Sequence, residues 1–253
     1  MQERYSAQGS RAHIGQPADV MGLYENQGAI LRKILIIFAA LGVSACTYNA
    51  SAPVSPAYDV YSNYDDKLSG QYALYVDSEE LAGEYSVEGY ACSAHNYSQD
   101  ATGAFQQSVT KTFQNLVENL ELVDQPLSAR DLEARGYTGM IIVEAEDIDV
   151  RINVISGFWT SDMSADVELA ASLRVDGREG RLLGTTVSGD DDAKAGAGAG
   201  CEGGAKALSE ATSRALEDLM QRLGERLSNS RRLREAAEQQ QNAADQPEAD
   251  AGV

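Results

Sequence analysis

Met140–Val154 reads MIIVEAEDIDVRINV, and its alternation decides the fold. Ile141, Val143 and Ala145 share one parity, whereas Ile148, Val150, Ile152 and Val154 share the other. Alternate residues of a strand face opposite sides, so a change of parity would turn half of the apolar set into water. One extra residue near Glu146-Asp147 keeps both sets on one face, and a β-bulge is expected there. Downstream, Ala165, Val167, Leu169, Ala171, Leu173 and Val175 alternate with Ser164, Asp166, Glu168, Ser172 and Arg174. That is the pattern of an antiparallel strand with one wet face. Gly157-Phe158-Trp159 joins these two strands, and Asp176-Gly177 with Gly180 turns the chain into a third strand over 181–188.

Outward from this meander the period changes. Phe105, Val109, Phe113, Leu116, Val117 and Leu120 recur in steps of three and four, which predicts a helix over 101–122 with Asp100 or Thr102 as its cap. Leu208, Ala211, Ala215, Leu219, Leu223 and Leu227 make a second such stripe, predicting a helix over 205–227. Ser128 to Gly136 reads as a short helix with a cap at one end and a glycine terminator at the other. Gln71–Val76 reads as a first strand and Tyr85–Ala91 as a weaker second. The expected architecture is α+β: an antiparallel sheet with two long amphipathic helices packed on one face, in a single domain over 69–229.

The N-terminal part follows other rules. Arg32-Lys33 precede an apolar run, Ile34–Val43, that ends in Ser44-Ala45-Cys46. Basic residues, an apolar core of about 7–15 residues and small residues before a cut make a secretory signal. The run is short of the roughly 20 residues that span a bilayer as a helix. Val43-Ser44-Ala45-Cys46 resembles the cleavage box of bacterial lipoproteins: a branched apolar residue, a small residue, Ala or Gly, then Cys. The resemblance implies diacylglycerol on the Cys46 sulfur, cleavage before it and acylation of the new amino terminus. Thr47 stands where retained inner-membrane lipoproteins usually carry Asp, which implies sorting to the periplasmic face of the outer membrane. Several acyl chains on one residue hold stably, where a single chain binds marginally. On this reading 1–20 is an extension preceding a true start at Met21, 21–45 is the signal peptide, 46–68 is a lipidated flexible tether, and 230–253 is a disordered acidic tail.

Composition narrows the partners. Of 20 basic and 39 acidic residues, four and three precede Cys46, so the remainder sits near −20. That balance argues against nucleic acid, whose phosphates are met by Lys and Arg. Cys92 and Cys201 remain once Cys46 takes the lipid, and in an oxidising space two thiols invite a disulfide. The alternative is two small buried side chains.

Candidate chemistry is sparse. Gly198-Ala199-Gly200-Cys201-Glu202-Gly203 matches G-x-G-x-x-G, but a dinucleotide site needs a further parallel strand ending in an acid, and the chain holds only a helix after it. An anion nest or mobile lid is the more physical alternative for this stretch. His95 lies three residues from Cys92, a spacing open to a thiol–imidazole pair, though no third orienting group is evident. Glu144, Glu146, Asp147 and Asp149 crowd one strand, and Asp190-Asp191-Asp192 sit in an expected turn that a calcium ion would suit. Phe158 and Trp159 in the hairpin loop are a candidate interaction tip, with tucking against the core the favoured alternative. No catalytic constellation, metal set or cofactor is expected.

The element order and the closing helix ALSEATSRALEDLMQRLGERL (207–227) loosely resemble small envelope lipoproteins with a TolB-amino-terminal-like or curli-assembly-like domain, and also the auxiliary lipoproteins of lipid-transport systems. The expected function is a non-enzymatic scaffold or accessory subunit of an envelope assembly or transport complex. Its partners are the membrane, through the lipid, and an envelope protein. The alternatives are a module binding a ligand or cell-wall fragment near Trp159, and an enzyme using Cys92 and His95.

Overall fold

The computed structural model describes residues 48–56, 66–87, 92–158 and 160–245. The chain divides between Cys46 and Thr47, and every described residue belongs to the C-terminal unit. In chain order that unit contains β1 (Tyr48–Pro53), β2 (Leu68–Asp77), β3 (Ala82–Ser86), β4 (His95–Asp100), α1 (Thr102–Leu116), β5 (Val117–Leu122), α2 (Ala129–Arg135), β6 (Gly139–Ser156), β7 (Ser161–Gly177), β8 (Gly180–Gly196), α3 (Gly203–Ser228) and α4 (Arg231–Asp245). The fold is α+β. Five strands form one sheet in the order β5-β2-β6-β7-β8, and β1-β4-β3 form a smaller one.

The β6–β7–β8 meander is the frame. Pairing of β6 with β7 runs from Gly139↔Gly177 to Ser156↔Ser161, and its register shifts between Ala145 and Asp147, where Glu146 is the extra residue. The bulge therefore sits where the parity changes. Ile141, Val143, Ile148, Val150, Ile152 and Val154 all join one apolar core, while Met140 and Ile142 face a second, smaller core beneath Leu132 of α2. A turn with Ser128 as its cap starts α2: the Ser128 hydroxyl accepts the Asp131 N–H, and the Asp131 carboxylate accepts the Ser128 N–H and O–H. Gly136, at φ 77°, ends it in the left-handed conformation.

Two long helices lie on the inner face, as the stripes require. Ala207, Leu208, Ala211, Ala215, Leu219 and Leu223 of α3 are buried against β7 and β8. Each buried leucine contributes about 1.5–3 kcal/mol relative to exposure. The helix comes in close: a Cβ at Gly189 of β8 would stand 2.3 Å from Leu219 N and 2.4 Å from Ala215 O. Beside α3, α1 packs on β2 and β5, with Phe105, Val109 and Phe113 fully buried. The small sheet meets the meander through buried Tyr97 of β4, whose hydroxyl lies 3.7 Å from Met163 Sδ of β7.

The structure departs from the sequence expectation in four places. The large sheet is mixed rather than antiparallel, because β2 pairs parallel with both β5 and β6. The first long helix stops at Leu116, and 117–122 leave it as the edge strand β5. The expected acidic turn and Gly-rich stretch begin as strand, since β8 continues to Gly196 with Asp190, Asp191 and Asp192 paired opposite Glu168, Val167 and Asp166. Finally, the expected tether and tail are partly folded. Residues 48–53 pair parallel with β4, and 231–245 form α4, which buries Leu233 and Ala237. Residues 46–47 and 57–65 of the first segment and 246–253 of the second lie outside the described residues.

Candidate interaction site

One end of the meander gathers several of the residues that the sequence singles out. Cys92 and Cys201 are joined by a disulfide, with Cα atoms 6.0 Å apart across 109 residues of sequence. On the Cys92 side, the Cys92 carbonyl accepts the His95 N–H at 2.9 Å where β4 begins, and Tyr48 of β1 pairs with His95. On the Cys201 side, the Tyr97 hydroxyl donates to the Cys201 carbonyl at 2.8 Å and lies 3.7 Å from Met163 Sδ. Ala197 N donates to Ser161 O at 2.8 Å, which ties the end of β8 to the start of β7. The start of β1, the bridge and the β6–β7 turn thus share one end of the unit. The turn itself is closed by Gly157 N donating to Thr160 O at 2.9 Å, and Phe158 projects from it 89% exposed. Cys46 and Trp159 lie outside the described residues.

The remaining candidates find structural uses. The Cys92 sulfur is bonded to Cys201, so it offers no thiol to His95. In the Gly-rich stretch, the Glu202 carboxylate accepts the Gly200 N–H at 3.0 Å, and a Cβ at Gly204 would meet the Tyr97 ring at 2.4 Å. Gly204 admits the start of α3 against β4, and the Glu202 carboxylate already occupies the turn. Among Glu144, Glu146, Asp147 and Asp149, Asp149 pairs with Arg151 at 3.1 Å, Asp147 accepts the Ile148 N–H, and the Glu146 carboxylate accepts from Thr186 Oγ1 at 3.4 Å. Asp190 and Asp191 lie on opposite faces of β8, with Arg222 and Arg214 each 3.7 Å away. The expectation of a calcium-binding turn at 190–192 is therefore replaced by strand. Among the described residues no three His, Cys, Asp or Glu side chains gather as a metal site requires.

Two grooves were not foreseen. The first, about 790 Å³, lies between α1 and the ends of β2 and β5, and its wall includes Tyr75, Val76, Gln106, Lys111, Leu122 and Val123. The Asp77 charge raises the Tyr75 phenol pKa, followed by partial burial and the charges of Glu144 and Glu79. Leu122 stands 55% exposed there. The alternation of Leu120 and Leu122 was the available signal for β5, but Leu120 also fits the helical stripe. The second groove, about 810 Å³, runs between Leu183–Ser188 of the β8 edge and Arg222, Glu225 and Arg226 of α3. Farther along the same edge the backbone is capped by the helix: Asp190 N donates to Asp218 Oδ2 at 3.3 Å, and Arg214 Nη1 donates to Asp192 O at 3.4 Å.

No family model matches the sequence, and no curated protein matches it either. Among solved structures, a Xanthomonas campestris protein of the family DUF330 is similar at 12% identity and TM-score 0.40, over 77% of this chain and 99% of that one. A Helicobacter pylori protein described as a neuraminyllactose-binding hemagglutinin homologue is similar at 8% identity and TM-score 0.38, over 75% and 96%. A Chlamydia trachomatis protein described as hypothetical follows at 9% identity and TM-score 0.28, over 49% and 73%. Likeness at this level assigns no function to the chain.

Proposed function

We propose that the protein is a lipoprotein of the cell envelope, held on the periplasmic face of the outer membrane through Cys46, and that it acts as a non-enzymatic scaffold or accessory subunit of an assembly or transport complex there. The observation that carries this reading is the Cys92–Cys201 bridge. Disulfides persist in oxidising compartments and are rare where thiols are kept reduced. The signal and cleavage box of 32–46 point to the same compartment by an independent route. The test is metabolic labelling with an alkyne fatty acid followed by membrane fractionation. The expected result is label on the protein and recovery with membranes, both lost in Cys46→Ser; label that survives the substitution sinks the anchor. The accessory role is tested by capture from solubilised envelopes, where a chain recovered without a stoichiometric companion counts against it.

A second reading, a module for small amphipathic ligands, is favoured by the 790 Å³ groove with its apolar Val76 and Leu122 beside Lys111. The expected location near Trp159 lies outside the described residues. Anilinonaphthalene sulfonate, an apolar anion, should bind there and lose its fluorescence gain in Leu122→Asp; equal binding to both proteins removes this reading.

A further inference from the structure

Strand β8 ends the large sheet, and α3 closes only part of its free edge. Asp218 accepts the outward N–H of Asp190, and Arg214 donates to the outward carbonyl of Asp192. Alternate residues of an antiparallel strand turn their backbone groups to the same side. The pairing of β7 with β8 runs without a shift from Leu183 to Gly196, so Gly184, Thr186 and Ser188 turn theirs outward as well. Among the described residues these outward groups take one bond, from Thr185 Oγ1 to Thr186 O at 3.4 Å. Residues 183–188, LGTTVS, also lack the charge and proline that blunt an exposed edge. Beside them lies the 810 Å³ groove walled by Arg222, Glu225 and Arg226 of α3.

Charge decides what covers this edge. Arg174 and Arg181 share Asp176, at 3.1 and 3.4 Å, and Arg222 is held by Asp218 at 2.8 Å with Asp190 at 3.7 Å. Arg226 is exposed and has no acid on it. The other acids nearby are engaged: Glu225 accepts from Gln221 Nε2 at 3.2 Å, and Glu146 accepts from Thr186 Oγ1 at 3.4 Å. Ser230 closes the groove, and α4 opens directly after it with Arg231 and Arg232 and no acid in its first turn, although a helix start favours acids. Arg231 is paired with Glu235. A chain near −20 overall thus collects cations around one open strand edge. A second copy fits poorly, because joining two β8 edges sets like charges against each other.

We propose that residues 183–188 are the docking edge for an extended acidic segment of a partner protein. The segment adds to the sheet as a further strand, and its carboxylates on the α3 side meet Arg226 and Arg222. The inference deepens the accessory-subunit reading given above and rests on it for the source of the segment. In strand addition main-chain bonds supply affinity and alternate side chains supply specificity. From Gly184 to Ser188 the edge spans about 14 Å, room for five residues of the partner.

The probe is an end-blocked, fluorescein-labelled peptide, Thr-Glu-Thr-Glu-Thr-Glu-Thr, read by anisotropy on the full-length protein against Thr-Lys-Thr-Lys-Thr-Lys-Thr. Overall charge favours the lysine peptide, so acidic-peptide binding about tenfold tighter is the expected and discriminating result. Arg226→Glu should weaken it about tenfold, and Arg130→Glu, at an exposed position of α2, should leave it unchanged. Thr186→Pro removes an outward N–H where an edge strand tolerates proline, and should abolish binding at an unchanged thermal midpoint. If that variant fails to fold, the fully N-methylated acidic peptide makes the same test, and binding that survives it overturns strand addition. A lysine peptide that binds equally well, or Arg226→Glu that binds the acidic one like wild type, overturns the inference. Binding that emerges only after deletion of 246–253 gives the edge to the chain's own end, and a dimer abolished by Thr186→Pro gives it to a second copy; each overturns a partner segment. A companion captured from solubilised envelopes equally by wild type and Arg226→Glu overturns the inference and leaves the accessory role standing.

Discussion

At the residue scale, glycines with opposite surroundings make opposite predictions. A methyl at Gly189 would strike Leu219 N and Ala215 O, backbone atoms that cannot swing aside. Gly189→Ala should therefore push α3 off β8 and destabilise the protein by about 3 kcal/mol, read as a lower urea midpoint. Gly103 of α1 has nothing within 4 Å of an added methyl. Gly103→Ala should raise the same midpoint by about 0.5 kcal/mol, because it only removes the entropic penalty of glycine in a helix. A neutral result at Gly189 would mean that helix and strand are farther apart than described. The backbone of the β8 edge tells a related story. Asp218 and Arg214 of α3 bond the strand's own backbone groups, so charge at this edge closes it to other strands.

At the element scale, how much was legible depended on whether apolar spacing carried the element. The β6–β7 pair and the Glu146 bulge could be read because period two and a single buried face leave one solution. The long helix α3 was equally plain. By contrast β5 was read as helix, since Leu116, Val117 and Leu120 continue the stripe of α1 by chance. The strands β1 and β4 hid because their inward residues include Ala52, Tyr97 and Gln99 rather than branched aliphatics. The helix α4 hid because Leu233 is the single large apolar side chain in a run of polar residues and alanines. If α4 belongs to the fold, Leu233→Ala should cost about 2–4 kcal/mol by urea unfolding; an unchanged midpoint would return 231–245 to the status of a tail. Helix starts also make the protein acid-sensitive. The Asp100 carboxyl is held below its ordinary range, first by the Thr102 hydroxyl and then by the Thr102 N–H. Asp131 is held down in the same way by the Ser128 hydroxyl and N–H. A carboxyl with a lowered folded-state pKa stabilises above its unfolded value and stops doing so as pH falls through the folded one. Stability should therefore decline below about pH 4, and an Asp100→Asn/Asp131→Asn variant should show a shallower decline across the same urea series.

At the scale of the whole molecule, the Cys92–Cys201 bridge closes a loop of 109 residues that contains α1, α2 and the entire meander. By chain entropy alone such a closure is worth about 4–5 kcal/mol. The Cys92→Ser/Cys201→Ser variant should lose most of that in urea, and a loss near zero would mean that the unbridged chain is already restrained. The candidate site was only half legible. Its cysteines and Phe158 were visible in sequence, but their convergence on one end depends on β1 and β4, which were not. The length of β8 sets a further property. From Gly196 beside the tip to Leu183 in the Arg226 groove is 13 residues of strand, about 45 Å. That span sets the groove several Debye lengths from the end that carries the Cys92–Cys201 bridge. The two ends of the meander are therefore electrostatically independent, and a charge introduced at one leaves binding at the other unchanged.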